Sequence, residues 1–381
     1  MVDRLAVVVF EGGRTASEVE RELARVRQAV TLDNLALARQ VSQVDRVILV
    51  TDRADLAAKA QELGVTVYRT DDGTPFHFGE VLRRVISNFE LDHVIYFGGA
   101  ALPLLRADDL LEWAERLRSG CPQVLVNNPL SADVIAFSPA GAVERLHPLP
   151  TEDNFLGHLF REQGLERVLM PNSARINFDL DTPTDLLLLD SCRRVGTRTR
   201  AALNTLHLPR QPLQRALRVM TEDRTPYPEV ALIGRVGPVI MSIINANLKV
   251  RLRVYSEERG MKALQREERD EVRSWLGFFL EAVGPEAFIA TLAKTVDVAF
   301  IDTRVLFAHL HLHPTPHDRY SSDLGRVDAI GDATVRAFTR AAQEAVIPII
   351  LGGHSLIYGG LWAVLEENGC LHQPVPRLPG A

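Results

Sequence analysis

Short, unbroken runs of aliphatic and β-branched residues recur through the first half of the chain, and helix-length stretches lie between them. Leu5–Phe10 (LAVVVF), Arg46–Thr51 (RVILVT), Val65–Tyr68 (VTVY), His93–Phe97 (HVIYF), Gln123–Asn127 (QVLVN) and Ala132–Phe137 (ADVIAF) are such runs. A strand that is apolar on both faces must be buried on both, which is the condition of a parallel sheet covered by helices. Helical stretches over about 17–41, 52–63, 79–89 and 108–118 would supply the cover. The predicted class is α/β: a mostly parallel sheet with helices on both faces. Ligands of such sheets bind beyond the carboxyl ends of the strands. Those ends are Glu11-Gly12-Gly13, Thr51-Asp52, Thr70–Gly73 and Gly98–Ala101.

With 381 residues the chain is expected to form two domains. The pattern weakens over 196–228, where Pro209, Pro212, Pro226 and Pro228 interrupt it, and this stretch reads as a linker. From 229 the prediction is a helix over 229–248, a strand over 251–255, and helices over 267–283 and 285–295. A strand over 298–301, a helix over 332–345, a strand over 347–351 and a helix over 361–367 follow. Residues 229–381 thus read as a smaller α/β or α+β domain, with a Pro-rich, loosely ordered tail from Gln373. A net charge of −6 leaves no basic footprint for nucleic acid. Cys121, Cys192 and Cys370 lie far apart with no CxxC spacing, which points to a reducing compartment. Neither a signal peptide nor an uninterrupted apolar run of bilayer length is legible, so the expectation is a cytoplasmic protein with no membrane partner.

Three segments, in order, are similar to one known superfamily. They are Val7–Arg14 (VVVFEGGR), Val94–Leu110 (VIYFGGAALPLLRADDL) and Asn177–Leu186 (NFDLDTPTDL). The first resembles the opening strand and glycine turn of the MobA-like nucleotidyltransferases, a group that includes the 2-phospholactate guanylyltransferases. The second resembles their central strand with its Gly-Ala-Asp-Leu-Pro-Leu-Leu turn, and the third their closing Asp-Ile-Asp-Thr-Pro-Glu-Asp-Leu stretch. The resemblance covers residues 1–195 and implies the nucleotide-diphospho-sugar transferase fold. It implies a nucleoside triphosphate over the strand ends, with magnesium bridging carboxylates and phosphate. The nucleotidyl group would pass to a small phosphorylated or hydroxyl-bearing acceptor, and pyrophosphate would leave. Carried over, Gly12, Gly13, Arg14, Gly79, Gly98 and Gly99 would hold the nucleotide, and Asp179 and Asp181 would be the catalytic acids. Asp179 would hold Mg²⁺, and Asn128 and Asp133 would meet the acceptor. The chain departs from the family at Ala101, which stands where the metal-binding aspartate belongs, and the first turn lacks the Gly-x-Gly-x-Arg spacing. An alanine cannot ligate a hard cation. Attenuated transfer, or a non-catalytic nucleotide- or metabolite-binding protein, follows from that departure.

The bland readings are also specific. Gly12-Gly13 would serve as a tight turn, and Asp179 or Asp181 as a cap ahead of Pro183. In the second half, His309, His311 and His313 alternate, so an extended segment would put three imidazoles on one face. That spacing suggests a metal-dependent hydrolase or lyase. Gly353-His354-Ser355 is similar to a nucleophile elbow, but Ile357 replaces its closing glycine. Ser256–Gly260 and Asp302-Thr303-Arg304 place charge at predicted strand ends, where they would line a second pocket with His354. The second domain would complete the acceptor site or form a homodimer.

Overall fold

The structure, a computed structural model, describes residues 3–70, 73, 75–129, 131–262 and 264–373. They form two compact units. One comprises Met1–Arg14, Val26–Ile176 and Gly196–Ala201; the other comprises Thr15–Arg25, Asn177–Val195 and Ala202–Ala381. Residues 177–195, grouped with the first half on sequence, lie in the second unit.

The first unit is built on seven strands: β1 (Leu5–Phe10), β2 (Arg46–Thr51), β3 (Thr66–Arg69), β4 (His93–Gly98), β5 (Gln123–Val126), β6 (Val134–Ser138) and β7 (Glu166–Leu169). Their order is β3-β2-β1-β4-β6-β5-β7. All pairings are parallel except those of β6, which runs antiparallel to both β4 and β5. The α/β class is as expected. Period-two alternation sorts the strand side chains to opposite faces. Val7, Leu49, Ile95 and Phe97 join Leu110 and Trp113 of helix Ala107–Leu117 in one core. Val8, Ile48 and Tyr96 join Phe78, Leu82 and Val85 of helix Phe78–Phe89 in another. Because β2 and β3 lie to one side of β1 and β4 to the other, the topological switch falls between β1 and β4, where such sheets open a crevice.

The second unit carries four parallel strands: β8 (Glu229–Gly234), β9 (Arg251–Ser256), β10 (Val298–Asp302) and β11 (Ile349–Gly352). Their order is β11-β10-β8-β9. The helix expected over 229–248 is instead β8 followed by helix Pro238–Asn247. Gly237-Pro238 is the signal for that break, since proline starts helices and does not continue them. The expected linker holds helices Thr197–Asn204 and Arg210–Thr221. Pro212 sits in the first turn of the latter, where a missing N–H costs nothing. The two helices expected over 267–283 and 285–295 do meet at a non-helical Gly284 (φ 78°, ψ 166°) before Pro285, within Trp275–Ala293, but the first starts at Trp275 after turns and not at 267. By length and composition the stretch Trp275–Ala293, alone among the described residues, is apolar enough to cross a membrane. Glu281 and Glu286 interrupt its apolar run. Most of the Pro-rich tail lies outside the described residues.

Candidate functional site

At the β1/β4 switch the chain turns through Glu11-Gly12-Gly13 on one side and Gly98-Gly99 on the other. Gly99 has no room for a side chain, since a Cβ there would stand 2.5 Å from Glu11 and from the Thr31 hydroxyl. A Cβ on Gly12 would collide with the Asp52 carboxylate. Gly13 takes a left-handed φ of 97°, and its N–H donates to Asp52 Oδ1 at 3.1 Å. The first turn is thus a tight glycine turn, and one of its backbone donors already serves a carboxylate. The cations around it are Arg14, which is exposed, Arg53, which donates to the Gly13 carbonyl at 3.5 Å, and Arg69, which donates to the Asp52 carbonyl at 3.3 Å. Sequence reasoning missed Arg53 and Arg69. Arg53 directly follows the Thr51-Asp52 strand end, which was the available signal. Asp71 and Asp72, in the third expected strand end, lie outside the described residues.

Glu11 is 5% exposed and is held by Arg27 at 3.1 Å. Burial pushes its carboxyl above the usual range, and the Arg27 guanidinium opposes that rise. Ala101 does not reach this crevice. It is 3% exposed and packs in the apolar core with Ile95, Leu110 and Trp113. Gly79 is buried in the first turn of its helix, where its N–H donates to the Pro150 carbonyl at 2.9 Å and a Cβ would meet the same oxygen at 2.8 Å. That contact gives Gly79 a packing role. Of the residues expected to meet an acceptor, Asn128 follows β5 half-buried, and the Asp133 N–H donates to Asn127 Oδ1 at 3.1 Å. The Tyr96 hydroxyl donates to Asp153 at 2.6 Å, and burial, with Asp153 and Asp133 nearby, raises its pKa well above the phenol range. Tyr96 and Asp153 had no signal in the sequence beyond their positions near strand ends.

Asp179 and Asp181 belong to the second unit. The Ser355 hydroxyl donates to the Asp179 carboxylate and, at 3.1 Å, to its carbonyl. Asp181 is exposed, and its N–H donates to Asp185. Neither caps helix Pro183–Asp190. The capping box is Thr182 with Asp185, whose carboxylate accepts from the Thr182 N–H at 2.7 Å.

The histidine run is not extended. Asp302 caps helix Thr303–His309, so the backbone is helical up to His309 and turns left-handed at His311 (φ 53°). His309 is 5% exposed, its Nδ1 accepts the Ser274 N–H at 3.1 Å, and burial lowers its pKa. His311 and His313 face Asp270, at 3.6 and 3.3 Å. Among the described residues no group of three or more histidine, cysteine or acidic side chains is placed to hold a metal ion. At the strand ends of this unit Arg235 makes a two-pronged ion pair with the fully buried Asp302, at 2.6 and 3.1 Å. Burial, with Arg235 beside it, pulls His354 down to about 4.

No family model matches the sequence. No curated protein matches it either. Solved structures show partial likeness. A cytidylyltransferase from Leptospira borgpetersenii serovar Hardjo-bovis is 16% identical, with 53% of this chain and 93% of that one covered and a TM-score of 0.40. A 4-diphosphocytidyl-2C-methyl-D-erythritol synthase from Anaerococcus prevotii is 13% identical over 50% of this chain and 95% of its own, with a TM-score of 0.35. Likeness of this degree carries no inference about activity.

Proposed function

We propose that the first unit binds a nucleoside triphosphate at the β1/β4 switch, and that transfer of its nucleotidyl group is at most weak. The observation that carries this reading is the glycine-lined crevice itself: Gly12-Gly13 and Gly99, each packed against an acid, beside Arg14, Arg53 and Arg69. Polyphosphate would displace Asp52 from the Gly13 N–H and take its charge balance from the three arginines. The base would lie toward helix Phe78–Phe89, and Asn128, Asp133, Tyr96 and Asp153 would face a small acceptor or the ribose.

The magnesium set implied by the resemblance does not fit these residues. The Ala101 methyl group is buried in the core, and the Asp179 carboxylate accepts the Ser355 hydroxyl. The three arginines would balance the charge of bound polyphosphate, but no pair of carboxylates among the described residues is in place to bring the ion to the reacting phosphate, which supports binding over turnover.

The test is calorimetric titration of the full chain with each ribonucleoside triphosphate, followed by a pyrophosphate-release assay. One triphosphate is expected to bind, and Arg53→Ala with Arg69→Ala to weaken it about tenfold or more. Folded protein that responds to none of the four removes this reading.

A further inference from the structure

The four strands of the second unit are parallel, so their carboxyl ends share one edge of the sheet. β9 lies to one side of β8, and β10 and β11 to the other, which puts the topological switch of this sheet between β8 and β10. Such a switch is where an α/β sheet opens toward a ligand. Arg235 directly follows β8, Asp302 ends β10, His354 stands two residues past β11, and Arg259 three residues past β9. Arg235 commits Nε and Nη2 to Asp302. Its Nη1 makes no hydrogen bond among the described residues, and the side chain stays 15% exposed. Arg259 is exposed and has neither a hydrogen bond nor an ion pair among the described residues. The acids beside it in sequence are engaged elsewhere. Glu257 accepts the Ser274 hydroxyl and the Trp275 N–H, each at 2.6 Å, and Glu258 pairs with Arg266 at 2.9 Å.

A Cβ on Gly237 would stand 3.9 Å from Arg259 Nη2, so that guanidinium lies over the amino end of helix Pro238–Asn247. No side chain caps this helix, and its Val239 and Ile240 N–H groups have no acceptor among the described residues. A cation on the positive end of a helix is the reverse of the favourable arrangement. His354 feels the same excess of positive charge. Burial, Arg235 and Arg259 disfavour its protonation against Asp302 and Asp181, and it makes no hydrogen bond among the described residues. An anion placed among these groups removes the conflict.

We infer that this corner of the second unit binds a phosphate dianion, free or as the monoester of a small molecule, between Arg259, the Nη1 edge of Arg235 and the amino end of helix Pro238–Asn247. Donors arriving from three directions suit a tetrahedral group with three terminal oxygens better than a planar carboxylate, which offers two. The uncapped N–H groups add a fixed positive field. Asp302 stays on Arg235 and holds that side chain in place. Asp181, exposed and near enough to act on both Arg235 and His354, is left to accept a hydroxyl group from the body of an ester.

Calorimetry on the full chain at constant ionic strength, with inorganic phosphate, ribose 5-phosphate, ribose and acetate, tests the inference. Phosphate and ribose 5-phosphate are expected to bind, acetate at least about tenfold more weakly and ribose not at all. A tighter fit for ribose 5-phosphate than for phosphate identifies the ester as the natural class; equal affinities identify free phosphate. Arg259→Ala should weaken both at least about tenfold. That variant loses an exposed side chain without a partner, so its Tm should be no lower than the parent's, and the rise in Tm that phosphate gives the parent should vanish in it. Binding should survive Arg53→Ala with Arg69→Ala, so this inference and the nucleotide reading of the first unit fail separately. Folded protein that binds neither phosphate compound, or acetate as tightly as phosphate, overturns the inference. So does binding that survives Arg259→Ala or is lost with Arg53 and Arg69.

Discussion

Ala101→Asp separates the family resemblance from the structure. On the resemblance alone it restores a metal-binding acid and should create affinity for Mn²⁺ or Mg²⁺ in the presence of nucleotide. In the structure the Ala101 side chain is 3% exposed among Ile95, Leu110 and Trp113. The neighbouring polar group, the Asn34 amide, already donates to the carbonyls of Ala101 and Leu102 at 3.4 and 3.2 Å, so it has no donor to offer a carboxylate. Leu102 is pinned at φ 60°, which leaves the turn little freedom to rotate the new side chain outward. Burying an unpaired polar group costs about 1–3 kcal/mol by mutational measure, and forcing extra atoms into a packed core costs about 1–3 kcal/mol more. We therefore expect a loss of about 4 kcal/mol, or a fall in Tm of roughly 8–16 °C for a unit of this size. Thermal denaturation with and without nucleotide and Mn²⁺ provides the assay. A variant as stable as the parent, whose Tm rises with Mn²⁺ only when nucleotide is present, would refute the core placement of Ala101 and restore the metal site.

Asp109→Ala should cost about 3 kcal/mol in chemical denaturation of the first unit. It removes the acid that closes the capping box at Arg106 and leaves Arg175 without its two-pronged partner, now at 3.1 and 2.8 Å. Gly359→Ala should prevent stable folding of the second unit, because a Cβ there would overlap the Asn177 carbonyl; a folded variant with near-parental Tm would count against this packing. The pH dependence of stability follows from two groups of opposite sign. His354, held near 4 by burial, is neutral in the fold, so the unfolded chain binds more protons below about 6.5 and stability falls as pH drops toward 4, by about 3 kcal/mol. Asp323, raised to about 8, stabilises most at low pH and loses that contribution as pH rises to about 8. Between about pH 6.5 and 8 Asp323 alone of the two titrates, so the parent should lose more stability with rising pH there than Asp323→Asn does.

The sheet of the first unit was legible because its strands are apolar on both faces, and a short run of that kind seldom folds as anything but a covered strand. β6 running antiparallel was not, since direction leaves no trace in composition. The helix misread over 229–248 shows how a buried parallel strand and an apolar helix share one composition; only Gly237-Pro238 distinguishes them. Glycines at the β1/β4 switch could be named, but their tightness depends on acids distant in sequence, Asp52 against Gly12 and Glu11 against Gly99. The histidine alternation misled because it presumed an extended backbone, whereas the Asp302 cap starts a helix that buries His309 against Ser274. Asp323 could not be found from sequence at all. Its interest lies in the absence of a partner, which only packing can create.

The assignment of residues to the two units has a consequence for how the chain is made. Thr15–Arg25 and Asn177–Val195 belong to a unit whose edge strand, Ile349–Gly352, is synthesised long after both. Seven of the eight residues of helix Pro183–Asp190 are buried, and Thr184 donates to the Leu351 carbonyl at 2.7 Å. On the ribosome that helix therefore emerges with its apolar faces uncovered and must wait for strand Ile349–Gly352. At ~5–20 residues per second this exposes Leu186–Leu189 for on the order of ten seconds or more. No single cleavage of the polypeptide yields two intact halves, and a fragment ending at 195 would carry a helix severed from the strand that hides it. Nascent-chain chaperones, more than intrinsic stability, should govern how much soluble protein a cell obtains.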